Sequence, residues 1–96
     1  MYIIIDTQMH TLRINNVFDA DETDIRNEFE VYGKLGDVYR PINKDQMNET
    51  PFFFVRFIER ENMLLAMNAL NGKVLRGRKM VIEEAKPIFE LETSIY

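Results

Sequence analysis

The chain has 96 residues, of which 46% are hydrophobic and 29% are charged, the composition of a soluble globular protein with one domain. Its 16 acidic and 12 basic residues give a net charge of −4. This balance argues against a generic polyanion binder, because nonspecific affinity for nucleic acid comes mostly from Lys and Arg. The chain contains no cysteine, which excludes a disulfide framework and thiolate chemistry and fits a reducing compartment.

Residues 1–10 form an N-terminal extension that contains a strongly β-forming run, Tyr2 to Ile5. The run is too short for a signal-peptide core or a membrane span, so we expect an intracellular protein without a membrane partner. Three interpretations of the extension are open: an added edge strand, a surface that pairs with a second copy, or a flap over the sheet. We expect a monomer, with a dimer through this extension as the alternative.

The segment from Leu12 to Val17 alternates apolar and polar residues, the pattern of a half-buried strand. Leu12 and Ile14 are expected to face the core. Arg13 and Asn15 are then expected to face outward.

From Asp19 to Tyr32 the hydrophobic period changes to about 3.6 residues, which predicts a helix. Its apolar stripe is Ile25, Phe29 and Tyr32, and Gly33 is a suitable C-terminal stop. Capping oxygens and early negative charge favour the N-terminus and come from Asp19, Asp21, Glu22 and Asp24. The outer face, which includes Glu28, is interpreted as a solvated face or a docking surface for a basic partner.

Gly36 to Arg40 is predicted to form a second strand that Pro41 stops. If Val38 points to the core, Tyr39 points to the other face. The polar segment from Ile42 to Glu49 is predicted to be a loop.

The segment from Thr50 to Phe57 has strand composition with aromatic residues on both faces. Because successive side chains alternate, one face carries Phe52, Phe54 and Arg56. The other face carries Phe53, Val55 and Phe57. A charged residue is almost never fully buried unless paired, so Arg56 favours an exposed first face over a strand that is buried on both faces.

Helix formers fill the segment from Arg60 to Leu70, and Asn71-Gly72 ends the predicted helix. Its apolar stripe consists of Met63, Ala66, Met67 and Leu70. Four basic residues follow: Lys73, Arg76, Arg78 and Lys79. They are either an electrostatic footprint for nucleic acid or a solvated turn around Gly77.

Met80 to Ala85 is the last predicted strand, with Met80 and Ile82 in phase for burial and Glu83 on the exposed face. The resulting order is β-α-β-β-α-β. It predicts an α+β, ferredoxin-like sandwich in which a four-stranded antiparallel sheet has two helices on one face. Residues 11–87 are the predicted domain, and residues 88–96 are an acidic, partly apolar tail.

Two of the predicted strands resemble the RNP motifs of the RNA-recognition motif (RRM) family. The segment from Thr50 to Phe57 is similar to K/R-G-F/Y-G/A-F-V-x-F/Y. The matching residues are Phe52, Phe54, Val55 and Phe57, and the departures are Thr50, Pro51 and Phe53. The segment from Leu12 to Val17 resembles the second motif, although Arg13 stands where the family usually carries an aromatic residue.

The whole of residues 11–87 resembles an RRM, and within the family it is most similar to the RRM of serine/arginine-rich splicing factors. Three stretches support this similarity: Gly36 to Tyr39, Phe54 to Phe57, and Asn71 to Arg78. The resemblance implies a single-stranded RNA-binding domain in pre-mRNA splicing or mRNA processing. It also implies a nuclear location, with shuttling to the cytoplasm as an addition, and other splicing or mRNA-processing proteins as partners.

By this resemblance, Phe52, Phe54 and Tyr39 stack bases or pack a ribose, and Arg13 and Arg56 contact phosphate or base edges. The full set of RNA-binding residues that it implies is Arg13, Asn15, Tyr39, Phe52, Phe54, Arg56, Ala85 and Lys86.

An enzyme, a metal site or a bound cofactor is not expected, because His10 is the only histidine, there is no cysteine, and the four glycines are dispersed. An RRM-like protein-interaction domain is the alternative, with the sheet face covered by a partner or a tail. In an intermediate case, residues 88–96 occupy the RNA face until RNA displaces them.

Overall fold

The structure, a computed structural model, describes residues 10–43, 48–49 and 51–85. Within them, four strands form one antiparallel sheet: β1 (Thr11–Asn15), β2 (Leu35–Tyr39), β3 (Phe53–Phe57) and β4 (Val81–Ala85). The strand order is β2-β3-β1-β4. Together with the two helices this confirms the predicted fold class. The predictions for the N-terminal extension, the tail and Lys86 lie outside the described residues, and the 11–87 domain boundary stays a prediction.

Helix α1 (Glu22–Phe29) begins at a capping box. The Asp21 side chain accepts from the Asp24 backbone N–H at 2.8 Å, and the Asp24 side chain accepts from the Asp21 N–H at 3.1 Å. This reciprocal pair satisfies backbone donors that the first turn leaves unbonded. The helix is shorter than the predicted span because Glu30–Tyr32 forms a 3₁₀ turn that ends at Gly33.

Helix α2 (Arg60–Leu70) has the predicted bounds, and Asn71 is its C-terminal cap. It buries Met63, Ala66 and Leu70 against the sheet, while Met67 is partly buried. The stripe therefore belongs to the core, as its spacing indicates.

Alternation along the strands separates the two faces of the sheet. The face that packs on the helices buries Leu12 and Ile14 of β1 together with all three inward residues of β3, which are Phe53, Val55 and Phe57. Val38, Met80 and Ile82 are buried as predicted. The opposite face is called the outer face below.

Two connections differ from the prediction. The expected loop from Ile42 to Glu49 contains a short antiparallel ladder between Ile42–Asn43 and Asn48–Glu49. A second ladder joins Val74–Leu75 to Arg78–Lys79. Both ladders have only two residues on each side, too few to leave a period-two pattern that can be recognised in the sequence.

Strand β2 carries an irregularity that alternation does not predict. Leu35 pairs with Phe57 and Val38 with Val55, so β2 contains one extra residue between these pairs. Such a bulge re-aims the side chains around it. Here it leaves Gly36 and Asp37 together between two residues that face the core.

No helix in the described part of the chain is long and apolar enough to cross a membrane.

Candidate nucleic-acid interface

A row of four side chains crosses the outer face from one edge strand to the other. Tyr39 of β2 pairs in register with Phe54 of β3, and Phe54 pairs with Arg13 of β1. Arg13 in turn pairs with Glu83 of β4. The row therefore places two aromatic rings, a guanidinium and a carboxylate on neighbouring strands, within reach of one extended ligand.

The aromatic side chains of the outer face contact one another. The ring centroids of Tyr39 and Phe54 are 5.4 Å apart with planes tilted by 43°, and those of Phe52 and Phe54 are 5.5 Å apart at 83°. Both distances lie in the favourable range for aromatic pairs. Tyr39 is 44% exposed, and Phe54 is partly exposed. The rings thus form one continuous aromatic surface.

Arg13 takes the position where an aromatic residue is usual, and it covers part of this surface. Its Cζ lies 4.0 Å from the centroid of the Phe52 ring, the geometry of a cation–π contact. Its Nε donates to Oδ1 of Asn15 at 3.0 Å. Asn15 donates in turn to the Val81 carbonyl at 3.0 Å. The guanidinium is therefore held as a flat cationic surface over Phe52.

Arg56 is held against β2 by two features of the bulge. Its Nε donates to Oδ2 of Asp37 at 3.2 Å, and its side chain is only 29% exposed. A Cβ at Gly36 would lie 2.6 Å from the Arg56 Cζ. The absence of a side chain at Gly36 lets the guanidinium rest on the backbone of β2.

The last two predicted residues are Ala85 and Lys86. Ala85 pairs in register with Thr11 and is partly exposed. Lys86 lies outside the described residues. The structure thus brings seven of the eight predicted side chains to the sheet: Arg13, Asn15, Tyr39, Phe52, Phe54, Arg56 and Ala85.

The family model for the RNA recognition motif matches residues 13–81. The chain belongs to the RNA recognition motif family. This confirms the resemblance that the two RNP-like strands indicated. Among curated relatives of this RRM, the probable splicing factor, arginine/serine-rich 4, of Caenorhabditis elegans is 36% identical over 77 residues, which cover 79% of this chain and 39% of that protein.

Two further comparisons agree with this assignment. Serine/arginine-rich splicing factor 8 of Homo sapiens is 34% identical over 79 residues, which cover 81% of this RRM and 28% of that protein. Among solved structures, the C-terminal RNA recognition motif of the hypothetical RNA-binding protein RBM19 is 31% identical, with a TM-score of 0.69 over 80% of this chain and 75% of that chain. The chain thus spans less than half the length of the two curated relatives.

Three of the four cations in the basic segment after α2 of this RRM are paired with carboxylates. Lys73 lies 2.6 Å from the Glu28 carboxylate, and the Arg76 guanidinium makes two bonds of 2.9 Å to Asp24. Arg78 lies 3.4 Å from Asp19. In the described part of the chain, only Lys79 of the four has no carboxylate partner. These pairs could not be predicted from the sequence because their members are far apart along the chain.

These pairs also explain the acidic side of α1. Glu28 raises the pKa of Lys73, and hydrogen bonds from Arg76 hold the pKa of the Asp24 carboxyl below its ordinary value of 3.8. Glu28 belongs neither to a purely solvated face nor to a free docking surface, since it binds Lys73. Asp24, one of the predicted capping residues, binds Arg76 in addition. The helix and the segment after α2 are therefore linked electrostatically.

Arg40 directly follows β2 in this RRM and makes contacts that the sequence did not predict. Its guanidinium lies 4.5 Å from the centroid of the Phe53 ring and donates to the Val17 carbonyl at 3.1 Å and to the Ala20 carbonyl. Phe53 is the bulky departure from the RNP pattern, and it is buried beneath Arg40. Phe53 stands where the family usually has a small residue. This large ring was the feature of the sequence that could have indicated a contact with another side chain.

The described residues include no group of three or more His, Asp or Glu side chains arranged to hold a metal ion. The expectation that the chain is not an enzyme stays a prediction, and membership of the RRM family supports it.

Proposed function

We propose that this RRM binds single-stranded RNA on the outer face of its sheet, by stacking bases on Tyr39, Phe54 and the Arg13–Phe52 pair. The observation that carries the proposal is the in-register row of Tyr39, Phe54 and Arg13 across three neighbouring strands. Single-stranded RNA offers unstacked bases, and RRM sheets bind bases by aromatic stacking.

The energetics of stacking support a modest affinity. Each base stacked on an aromatic side chain contributes roughly 1 to 3 kcal/mol. Two or three such contacts therefore suggest about 2 to 9 kcal/mol before ordering costs are subtracted. An isolated domain then reaches a Kd no tighter than about 1 μM.

The polar residues have separate proposed roles. Arg13 presents its guanidinium plane to a base, in place of the usual aromatic ring, because a guanidinium can both stack and pair with phosphate. Arg56 contacts a phosphate or a base edge from the position that Asp37 fixes. Asn15, Ala85 and Lys86 line the path of the RNA, and residues 11–87 are the proposed extent of the domain.

We also propose a role in pre-mRNA splicing or mRNA processing and a nuclear location. The support is the names of the relatives, a probable arginine/serine-rich splicing factor and a serine/arginine-rich splicing factor. Other splicing or processing proteins are the proposed partners. The activity proposed is binding without catalysis.

Fluorescence anisotropy with a randomised single-stranded RNA pool tests the proposal. We expect the Phe52→Ala, Phe54→Ala double variant to bind at least about tenfold more weakly than the wild type, because two stacking contacts are lost. Leu65→Ala is the matched control, since Leu65 is an exposed apolar residue of α2. It should bind like the wild type. Circular dichroism establishes that all three proteins are folded.

A folded wild-type domain that binds no RNA at about 100 μM, roughly a hundredfold above the tightest Kd that stacking allows, would overturn the proposal. The protein-interaction alternative would then gain support. It is favoured by Glu83 in the same row as Arg13 and by the pairing of Lys73, Arg76 and Arg78 with carboxylates, since both features weaken the attraction for phosphate.

A further inference from the structure

Phe18 is an exposed aromatic residue at the end of the sheet where Phe52 lies. It follows β1 by three positions and is 54% exposed. The Val17 N–H donates to the Pro51 carbonyl at 3.0 Å. Because the two strands are antiparallel, Phe18 leads from this pair away from the sheet, whereas Phe52 leads from it into the sheet. An RNA strand that passes Phe52 toward this end of the sheet would run toward the turn that carries Phe18.

The turn that carries Phe18 is tied down on both sides. Asn16 adopts a φ of 66°, and its side chain donates to the Lys79 carbonyl at 2.9 Å. Arg40 donates to the carbonyls of Val17 and Ala20, which lie before and after Phe18 in the sequence. A side chain held in this way loses little conformational entropy when a ligand binds.

One cation lies on the ring. The Arg78 Cζ is 4.7 Å from the Phe18 centroid. Arg78 is also 3.4 Å from Asp19, and both side chains of this pair are largely exposed. Such surface pairs are weak, so a phosphate can compete for Arg78. An aromatic ring with an adjacent cation is the combination that binds a base and its phosphate.

We propose that Phe18 and Arg78 form a further nucleotide subsite, which extends RNA binding from the sheet onto the β1–α1 turn. The base of the next nucleotide stacks on the exposed part of the Phe18 ring, and Arg78 neutralises its phosphate. The inference rests on the proposed RNA binding by the sheet. The inference goes further than the proposed function because it predicts that the RNA-binding site continues beyond Phe52.

RNA length separates the two proposals. One randomised pool of about three nucleotides fills only the sheet, and another of about six nucleotides also reaches the turn. We expect Phe18→Ala to weaken binding of the longer pool at least about fivefold, the effect of one lost stack, and to leave binding of the shorter pool unchanged. A longer RNA offers more positions at which the domain can bind. The variant and the wild type are therefore compared with RNA of the same length. Leu65→Ala, which truncates an exposed residue on α2, should change neither.

A second variant reports stacking directly. The chain contains no tryptophan, so Phe18→Trp introduces a single fluorophore at the subsite and retains a stacking surface. We expect the longer pool to quench its fluorescence and to bind with wild-type affinity, while the shorter pool leaves the emission unchanged.

The outcomes are distinguishable. If the wild type binds neither pool, the proposed function fails and this inference fails with it. If the wild type binds both pools but Phe18→Ala weakens both equally, or neither, only the subsite is wrong. Absence of quenching in a folded Phe18→Trp variant that binds the longer pool would also contradict the subsite.

Discussion

At the scale of single residues, the position of Arg56 depends on glycine at position 36, which has no side chain. A Cβ there would lie 2.6 Å from the guanidinium carbon, so Gly36→Ala must displace Arg56 from Asp37. We expect RNA affinity to fall about three- to tenfold, the effect of one misplaced hydrogen-bonding group. The melting temperature should change little, because the atoms that must move belong to the end of a flexible side chain. Anisotropy and thermal unfolding measure the two effects.

A double-mutant cycle tests whether Gly36 acts through Arg56. If it does, Gly36→Ala causes no further loss of affinity in a protein that already carries Arg56→Ala. Additive losses would show that the two residues act independently and that the contact in the structure does not position Arg56 for RNA.

At the scale of elements, Asp24 connects the start of α1 to the segment after α2. Its carboxylate accepts two bonds from Arg76 and one from the backbone N–H of Asp21. The bonds from Arg76, and then that from Asp21, hold its pKa below the ordinary value of 3.8. The charged form is therefore the one that the folded state stabilises.

This depressed pKa predicts a loss of stability in acid. The contribution of Asp24 is fully present above pH 3.8, the ordinary value of its pKa, and is lost as the pH falls through the lower pKa of the folded state. We expect the melting temperature of the wild type to fall more steeply below about pH 4 than that of Asp24→Asn. At neutral pH the variant should be the less stable protein.

Glu61→Gln is the control for this pH dependence, because Glu61 lies in the first turn of α2 and forms none of the ion pairs that the described residues contain. Its curve should run parallel to that of the wild type. If the Asp24→Asn curve also runs parallel, the link between α1 and Arg76 does not contribute to stability.

At the scale of the whole molecule, charge limits how strongly salt affects RNA binding. The net charge is −4, and Lys73 and Arg76 are already paired with carboxylates. Few cations are thus available to phosphates. The slope of log K against log salt is about −0.7 for each phosphate neutralised on a single strand. We expect a slope shallower than about −3.5, the value for five contacts, in an anisotropy titration from low to high salt.

A steeper slope would contradict this expectation and would indicate that the ion pairs of the basic segment open when RNA binds. An Arg76→Gln variant resolves that case. Its slope should equal that of the wild type if Arg76 stays with Asp24, and should be shallower if Arg76 moves to a phosphate.

Much of the sheet could be predicted because local periodicity follows from backbone geometry. The alternation of Leu12, Arg13, Ile14 and Asn15 assigned each residue to its observed face, since successive strand residues point to opposite sides. The bounds of α2 were predicted for the same kind of reason, from a period of about 3.6 and a terminal Asn-Gly. The bulge in β2 was not predicted, because one extra residue leaves no periodic signal.

The sequence by itself determined the fold class, the family and which aromatic residues lie on the outer face, since each depends on patterns within a few consecutive residues. Only the tertiary structure decided the partners: Arg13 on Phe52, Arg40 on Phe53, and Arg78 beside Phe18. It also showed that the basic segment is paired with carboxylates before α1 and within it. These contacts join residues that are distant in the chain, so they depend on strand order and register, which local pattern does not specify.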